Sequence, residues 1–365
     1  MKKTVIFNVL IFIIPVLFFI GCGSVNEPQT YSPTTSVSDV ISLAPLADYK
    51  TYYDTAMTQA GLVWPDVTPA VQAQDTYTTI SASKYGLFYK TTGFIYSTTK
   101  GIYMPGSYIG NARGYESLVG NLFVDAMFYG ARTIDSRVQF FYGNLGGIRD
   151  DKATAGNYLS NSDPFKNYIV PGAELSAGVQ TGLFFYANYL EVLKIKGENL
   201  LDMFEHGAAA WTNKTTIGSR GKFTQIAGAK VELDRSKVSY PSTGYEKVRK
   251  IYITTNNDTA VWAIDYSDAS DTTKWTKIYD KDLGGWMAGY SNTTEFYMAT
   301  SNYVANAGDD YTMLYYAKQY QGGFIKTDPR TQGQWFGEYI SAYKSVRGAN
   351  ATFMPTMQQR IKFVD

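Results

Sequence analysis

Residues 116–149, ESLVGNLFVDAMFYGARTIDSRVQFFYGNLGGIR, constrain the fold more tightly than any other stretch of the chain. Leu118, Val119, Leu122, Phe123, Ala126 and Met127 recur with helical spacing and form one apolar stripe. Gly130 is the expected helix stop. Residues 138–142 are a short, nearly continuous apolar run, which suits a buried strand better than a helix. Asn144, Gly146, Gly147 and Arg149 stand just past that strand. Glycines there let backbone N–H groups approach a ligand, and a guanidinium can fork onto an anion. The stretch therefore predicts a helix, a strand and a candidate binding turn.

Composition narrows the class. In 365 residues, 45% are apolar, enough for a substantial core. Only 18% are charged, while Tyr reaches 31 residues, a balance that suits a β-rich exported surface. The formal charge is +1 and falls to −1 without the two lysines of the leader. A near-neutral chain exerts no general pull on nucleic-acid polymers or acidic lipid, so anion binding falls to a few placed arginines. Cys22 is the only cysteine and His206 the only histidine. An intrachain disulfide and a thiolate zinc cluster are thereby excluded.

The pattern E-x-x-x-G-N-L-x-x-D-A-M from Glu116, followed by a strand and Asn144-Leu145-Gly146-Gly147-Ile148-Arg149, resembles the C-terminal domain of the 5′-nucleotidase family. In that family this domain recognises the nucleoside, and a separate metallophosphoesterase domain performs hydrolysis. The resemblance runs from about residue 86 to the end. It implies an α+β fold, with mixed sheets and packed helices. It also assigns roles. Arg113, seven residues before Gly120, corresponds to a substrate-binding arginine, against the plainer alternative of a solvated loop residue. Together Arg113 and Arg149 would meet a phosphate or the polar edge of a base. Asn144 matches the family's asparagine, but Leu145 stands where the family has glycine, and leucine does not adopt a positive φ cheaply.

Further along, residues 183–188 sit where the family has a Leu-Pro-Phe-Gly-Asn type motif. Lys196-Gly197 fixes the register, placing Tyr186 on a stacking phenylalanine and Asn188 on an asparagine. The structural alternative for Tyr186 is an aromatic at a core strand end; Phe184 and Phe185 are expected to be core. In residues 296–311, Tyr303 falls on the second stacking aromatic and Asp309 on the aspartate that accepts ribose hydroxyls. Ala307 and Asp310 replace glycines. The two tyrosines would clamp a base, with hydroxyls that the family's phenylalanines lack.

Other elements follow from pattern. Strands are expected at 87–89, 94–96, 189–195, 223–228, 230–234, 248–254, 261–266, 275–279 and 359–363, and helices at 47–60, 198–211 and 333–345. Residues 150–182 read as a surface insertion. His206 reads as structural or surface.

The N-terminus begins with Lys2 and Lys3 and an apolar run over 5–20, ending Phe19-Ile20-Gly21-Cys22. That is the layout of a bacterial lipoprotein signal (1–21) with lipid on Cys22, although Phe19 stands where Leu is usual. The alternative is an uncleaved anchor; both place the chain outside the cytoplasm, at a membrane. Residues 22–41 are expected to be a flexible tether, 42–100 a segment of unclear role, and 101–365 the recognition domain.

The family's catalytic half needs metals held by DxH, GNHE and HxH patterns, which one histidine does not supply. No cofactor is expected in this chain; divalent metals would belong to a partner metallophosphoesterase chain. The reading is a membrane-tethered nucleoside- or nucleotide-binding domain, hydrolytically incompetent alone. Its alternative is a surface scaffold or adhesin that kept the fold.

Overall fold

The structure, a computed structural model, describes residues 41–43, 88–89, 95–97, 102–104, 116, 118–144, 168–169, 174–175, 186–214, 220–238, 246–266, 269–348, 352–353 and 358–365. The expected helix at 47–60, residues 183–185, Leu145 and Cys22 lie outside them.

Two five-stranded sheets and their helices form the body. The first contains β1 (Phe140–Asn144), β2 (Tyr189–Lys196), β3 (Thr224–Ala227), β8 (Glu295–Ser301) and β9 (Phe324–Thr331), in the order β9-β2-β8-β1-β3. The second contains β4 (Ala229–Leu233), β5 (Val248–Thr254), β6 (Trp275–Asp280), β7 (Gly285–Trp286) and β10 (Ile361–Phe363), in the order β7-β6-β5-β4-β10. Each sheet is antiparallel except for one parallel pair, β8 with β1 and β4 with β10. The helices are α1 (Leu118–Ile134), α2 (Gly197–Ala208), α3 (Asn302–Ala305), α4 (Thr312–Tyr320) and α5 (Gln332–Arg347). The fold is thus α+β with mixed sheets and packed helices, as expected. Among the described residues, no helix is long and apolar enough to cross a membrane.

The continuous apolar character of β1 now has a cause. Phe140 and Tyr142 face the core that includes Leu200, Met203 and Phe204 of α2. Phe141 points the other way and meets Phe123 of α1 edge-on, with ring centroids 6.1 Å apart. A strand covered on both faces has no polar side to show. The same α2 core reaches Val231, Ile251 and Ile278 of the second sheet, so α2 packs against both sheets.

Close approach dictates several glycines. The chain passes from β3 into β4 at Gly228, whose φ of 77° and whose missing Cβ, 2.5 Å from the Gln139 carbonyl oxygen, admit no side chain. Gly130 corrects an expectation: α1 does not stop there but continues to Ile134. The glycine instead lets the Trp335 ring of α5 approach, since a Cβ would lie 2.7 Å from it.

Residues 261–266 are a second correction. They form a 3-10 turn at Val261–Ala263 and no strand. After β5, the Arg132 guanidinium takes the carbonyls of Asn256 and Asp258, both at 2.6 Å, and draws the chain off the sheet. Val261, Ile264 and Tyr266 are then buried one by one.

Helices α3 and α4 were not anticipated, whereas α5 falls where a helix was expected at 333–345. The helix α4 buries only Met313, Leu314 and Ala317 and leaves Tyr315, Tyr316 and Tyr320 exposed, so its apolar pattern is blurred. Its neighbour α5 starts at Gln332 on a capping box between Thr331 and Gln334. Strand β9 is an edge strand carrying Pro329, the position where a sheet tolerates proline. Short strands also join distant parts of the chain. Ile41–Leu43 pairs with Thr352–Phe353 and Glu174–Leu175, and Phe88–Tyr89 with Tyr168–Ile169. Ile95–Ser97 pairs with Ile102–Met104.

Glu205 of α2 is fully buried and accepts N–H bonds from Val248 (2.8 Å) and Lys247 (3.3 Å) at the start of β5. Burial pushes its carboxyl up to about 7, against the pull of those two bonds. The folded value exceeds the ordinary 4.5, so the unfolded chain ionises first. The contribution to stability is complete below the unfolded value and is lost as pH rises through about 7. Glu205→Gln is therefore expected to gain on the order of 2 kcal/mol relative to the parent between pH 5 and pH 8, in urea unfolding. Parallel pH profiles for the two proteins would show a carboxylate ionised throughout.

Candidate functional site

The site gathers at one edge of the first sheet. Asn144 is the last residue of β1, and α3 with its following turn leaves β8, the parallel neighbour of β1. Parallel strands end on the same side, so Asn144 meets the 307–310 turn although the partners are 165 residues apart. Asn144 Nδ2 donates to Oδ2 of Asp309. Tyr303, one turn earlier on α3, donates its hydroxyl to Asp309 Oδ1 at 3.2 Å and accepts the Asp309 N–H at 3.3 Å. From α2, His206 Nε2 bonds the Asp309 carbonyl at 2.8 Å. A carbonyl only accepts, so Nε2 carries the proton. Asp309 is thus held through its side chain, its N–H and its carbonyl.

The backbone needs that hold. Ala307, Asp309 and Asp310 have φ of 68°, 51° and 66°, left-handed values that non-glycine residues enter at a cost of about 1–2 kcal/mol each. The sequence puts Ala307 and Asp310 where glycine was expected, and the turn keeps the glycine-like geometry regardless. Gly308 itself is required for a different reason. A Cβ there would lie 2.4 Å from the Tyr303 ring, which packs on it.

Around this turn the walls are tight. Gly221 would place a Cβ 3.3 Å from Asp309 Oδ1, so the 220–222 segment covers one side of the carboxylate. Tyr311 is fully buried below. Its hydroxyl donates to the Lys222 carbonyl at 2.5 Å and bonds the Tyr142 hydroxyl at 2.9 Å, and its ring meets His206 edge-on at 4.7 Å. Burial, with Lys222 adding to it, lowers the His206 value below 6.5 and favours the neutral ring.

The open side carries the tyrosines. Tyr303 is 44% exposed, and Tyr186 is half-buried. Burial raises the Tyr303 phenol, the Asp309 carboxylate adds to this, and Tyr186 is near enough to contribute further.

Of the residues singled out in the sequence, Asn144, Tyr303 and Asp309 are bonded together, and Tyr186 is half-buried at the start of the segment leading into β2. Asn188 is placed by its backbone, its carbonyl accepting the Gln332 N–H at 2.7 Å beside the start of α5. Arg113, Gly146, Gly147 and Arg149 lie outside the described residues. His206, Tyr311 and Gly221 were not read as parts of a binding site. For His206 the only signal was its uniqueness, and for the others there was none.

No group of three or more His, Cys, Asp or Glu residues able to hold a metal occurs among the described residues. A cleft of about 250 Å³ lies elsewhere, on the second sheet, lined by Lys230, Glu232, Tyr252, Gln359 and Lys362 among others. Glu232 there already pairs with Lys250 and Lys362, at 3.0 and 3.6 Å.

Residues 95–267, just under half of the chain, match the family model described as 5′-nucleotidase, C-terminal domain. The match takes in Asn144, Tyr186 and Asn188 and stops short of Tyr303 and Asp309. Among solved structures, the chain is similar to a 5′-nucleotidase precursor from Thermus thermophilus. The identity is 20% and the TM-score 0.47, covering 70% of this chain and 36% of that one. For the NAD nucleotidase of Haemophilus influenzae the identity is 15% and the TM-score 0.45, covering 79% and 41%. For a putative 5′-nucleotidase from Staphylococcus aureus, solved with alpha-ketoglutarate, they are 11% and 0.41, covering 79% and 44%. The chain therefore spans less than half the length of each. No curated protein matches the sequence.

The strained turn yields a test. Ala307→Gly is expected to relieve left-handed strain and stabilise the fold by up to about 1 kcal/mol, after the entropy glycine loses. Gly308→Ala should destabilise it by forcing Tyr303 off its seat. Thermal melts that rank the two variants in the opposite order would contradict the geometry described.

Proposed function

We propose that this chain is a nucleoside- or nucleotide-recognition domain of 5′-nucleotidase type. The observation that carries the proposal is the fixed Asp309 carboxylate, bonded by Asn144 and by the half-exposed Tyr303. Aromatic faces tolerate any base, and a carboxylate suits sugar hydroxyls, which donate. The family match over 95–267 supports the same reading from the sequence side.

In the proposed arrangement, Tyr186 and Tyr303 stack on the base and Asp309 accepts from the sugar. Asn144 orients Asp309. Asn188, the Gly146-Gly147 turn, Arg113 and Arg149 supply the remaining polar contacts, the arginines reaching phosphate where it is present. Hydrolysis would need a metallophosphoesterase chain, which would bring the metals. The lipid on Cys22 would hold the domain at the outer side of a membrane.

Calorimetric titration of the full chain with adenosine, AMP and a pyrimidine pair, without added metal, tests the proposal. Saturable binding in the micromolar range is expected. Tyr186→Ala and Tyr303→Ala are each expected to weaken it by about 1–3 kcal/mol. Folded protein that gives no heat with any of these compounds would favour a scaffold that kept the architecture alone.

A further inference from the structure

Asp309 is not an idle acceptor. One carboxylate oxygen takes the Asn144 amide, and the other takes the Tyr303 hydroxyl at 3.2 Å. The hydroxyl is itself fixed, because its oxygen accepts the Asp309 N–H at 3.3 Å. Gly221 borders one flank, where an added Cβ would lie 3.3 and 3.5 Å from the two carboxylate oxygens. A carboxylate offers about four lone-pair positions. Two are filled by the protein, and a third direction is narrowed by the 220–222 backbone. A ligand bringing two vicinal hydroxyls therefore competes with the tyrosine hydroxyl for Asp309, whereas a ligand bringing one need not.

We propose that the Tyr303 hydroxyl sets the sugar selectivity of this site. By occupying an acceptor position on Asp309 it removes the advantage of a vicinal diol, so that 2′-deoxynucleosides are taken as readily as ribonucleosides. This rests on the nucleoside-binding reading above and narrows its ligand class. A phenylalanine at position 303 would keep the stacking face and release the acceptor. The His206 and Asn144 bonds would still hold the turn.

The test compares adenosine, 2′-deoxyadenosine and 2′,3′-dideoxyadenosine on the full chain and on Tyr303→Phe, by calorimetric titration. The dideoxy compound reports stacking and any loosening of the turn without hydroxyl bonds. In the parent, adenosine and 2′-deoxyadenosine should bind within about threefold of each other. In Tyr303→Phe, adenosine should gain about tenfold over the other two, the scale of one hydrogen bond to a charged acceptor. The proposal is overturned if the parent already prefers adenosine tenfold or more, or if the ratio is the same in both proteins. Absence of binding by all three compounds to both proteins would instead remove the nucleoside reading itself, and this selectivity with it.

Discussion

The buried pair between Asp125 and Arg360 is the constraint on which the rest of the architecture depends. Two parallel hydrogen bonds, 2.7 and 2.8 Å, join the middle of α1 to the residue just before β10. Arg360 also bonds the Ile226 carbonyl and Gln358, and its guanidinium lies over the Tyr266 ring at 3.9 Å. Taking both charges out of water is costly, and breaking one partner of such a pair typically costs about 3–5 kcal/mol. Glu116 repeats the connection just ahead of α1, accepting the Gln358 N–H at 2.7 Å and the Asn121 amide at 2.8 Å. The acidic residues and the asparagine of the sequence pattern thus tie the segment around Arg360 to α1. They build the frame that carries β1.

That frame determines where the site falls. The helix α1 and the core around α2 press on opposite faces of β1, which fixes the strand and the Asn144 at its end. β8 runs parallel to β1, so its α3 extension and the 307–310 turn emerge at the same edge. α2 then supplies His206 from below, and its first N–H groups are satisfied by the carbonyls of Thr294 and Asn292 just before β8. The strain of three left-handed non-glycine residues is offset by bonds to Asp309 from three separate elements. Strain concentrated where polar side chains converge is the pattern expected of a ligand site.

Helix α1 and strand β1 were legible because each shows an unambiguous period. The α+β class and most strands of the two sheets were legible for the same reason. The end of α1 was misjudged at Gly130, because a glycine needed for the Trp335 contact looks the same in sequence as a helix stop. Residues 261–266 alternate like a strand but answer to Arg132 and to separate buried pockets, which no local pattern records. The pairing of Asn144 with Asp309 is invisible to periodicity, since topology alone joins them; family resemblance assigned each to a binding site without foreseeing the bond. His206 and Tyr311 escaped because their role is to brace a backbone carbonyl and a wall from beneath.

The origin of the hold on Asp309 bears on how recognition and hydrolysis can be divided. Asn144, Tyr303 and His206 all belong to this chain, and so does the Gly221 wall. The bonds that hold the strained turn therefore come from within this chain. A ligand meeting a site ordered in advance loses less in fixing loops and side chains, which is how preorganisation strengthens binding. If the proposed function holds, a domain built in this way is physically suited to capture its ligand alone. Under the proposed function, a chemical step on another chain would not require recognition to depend on that chain. The exposed half of Tyr303 is the part left to adjust, and it is held by a hydroxyl bond that a ligand can exchange for its own.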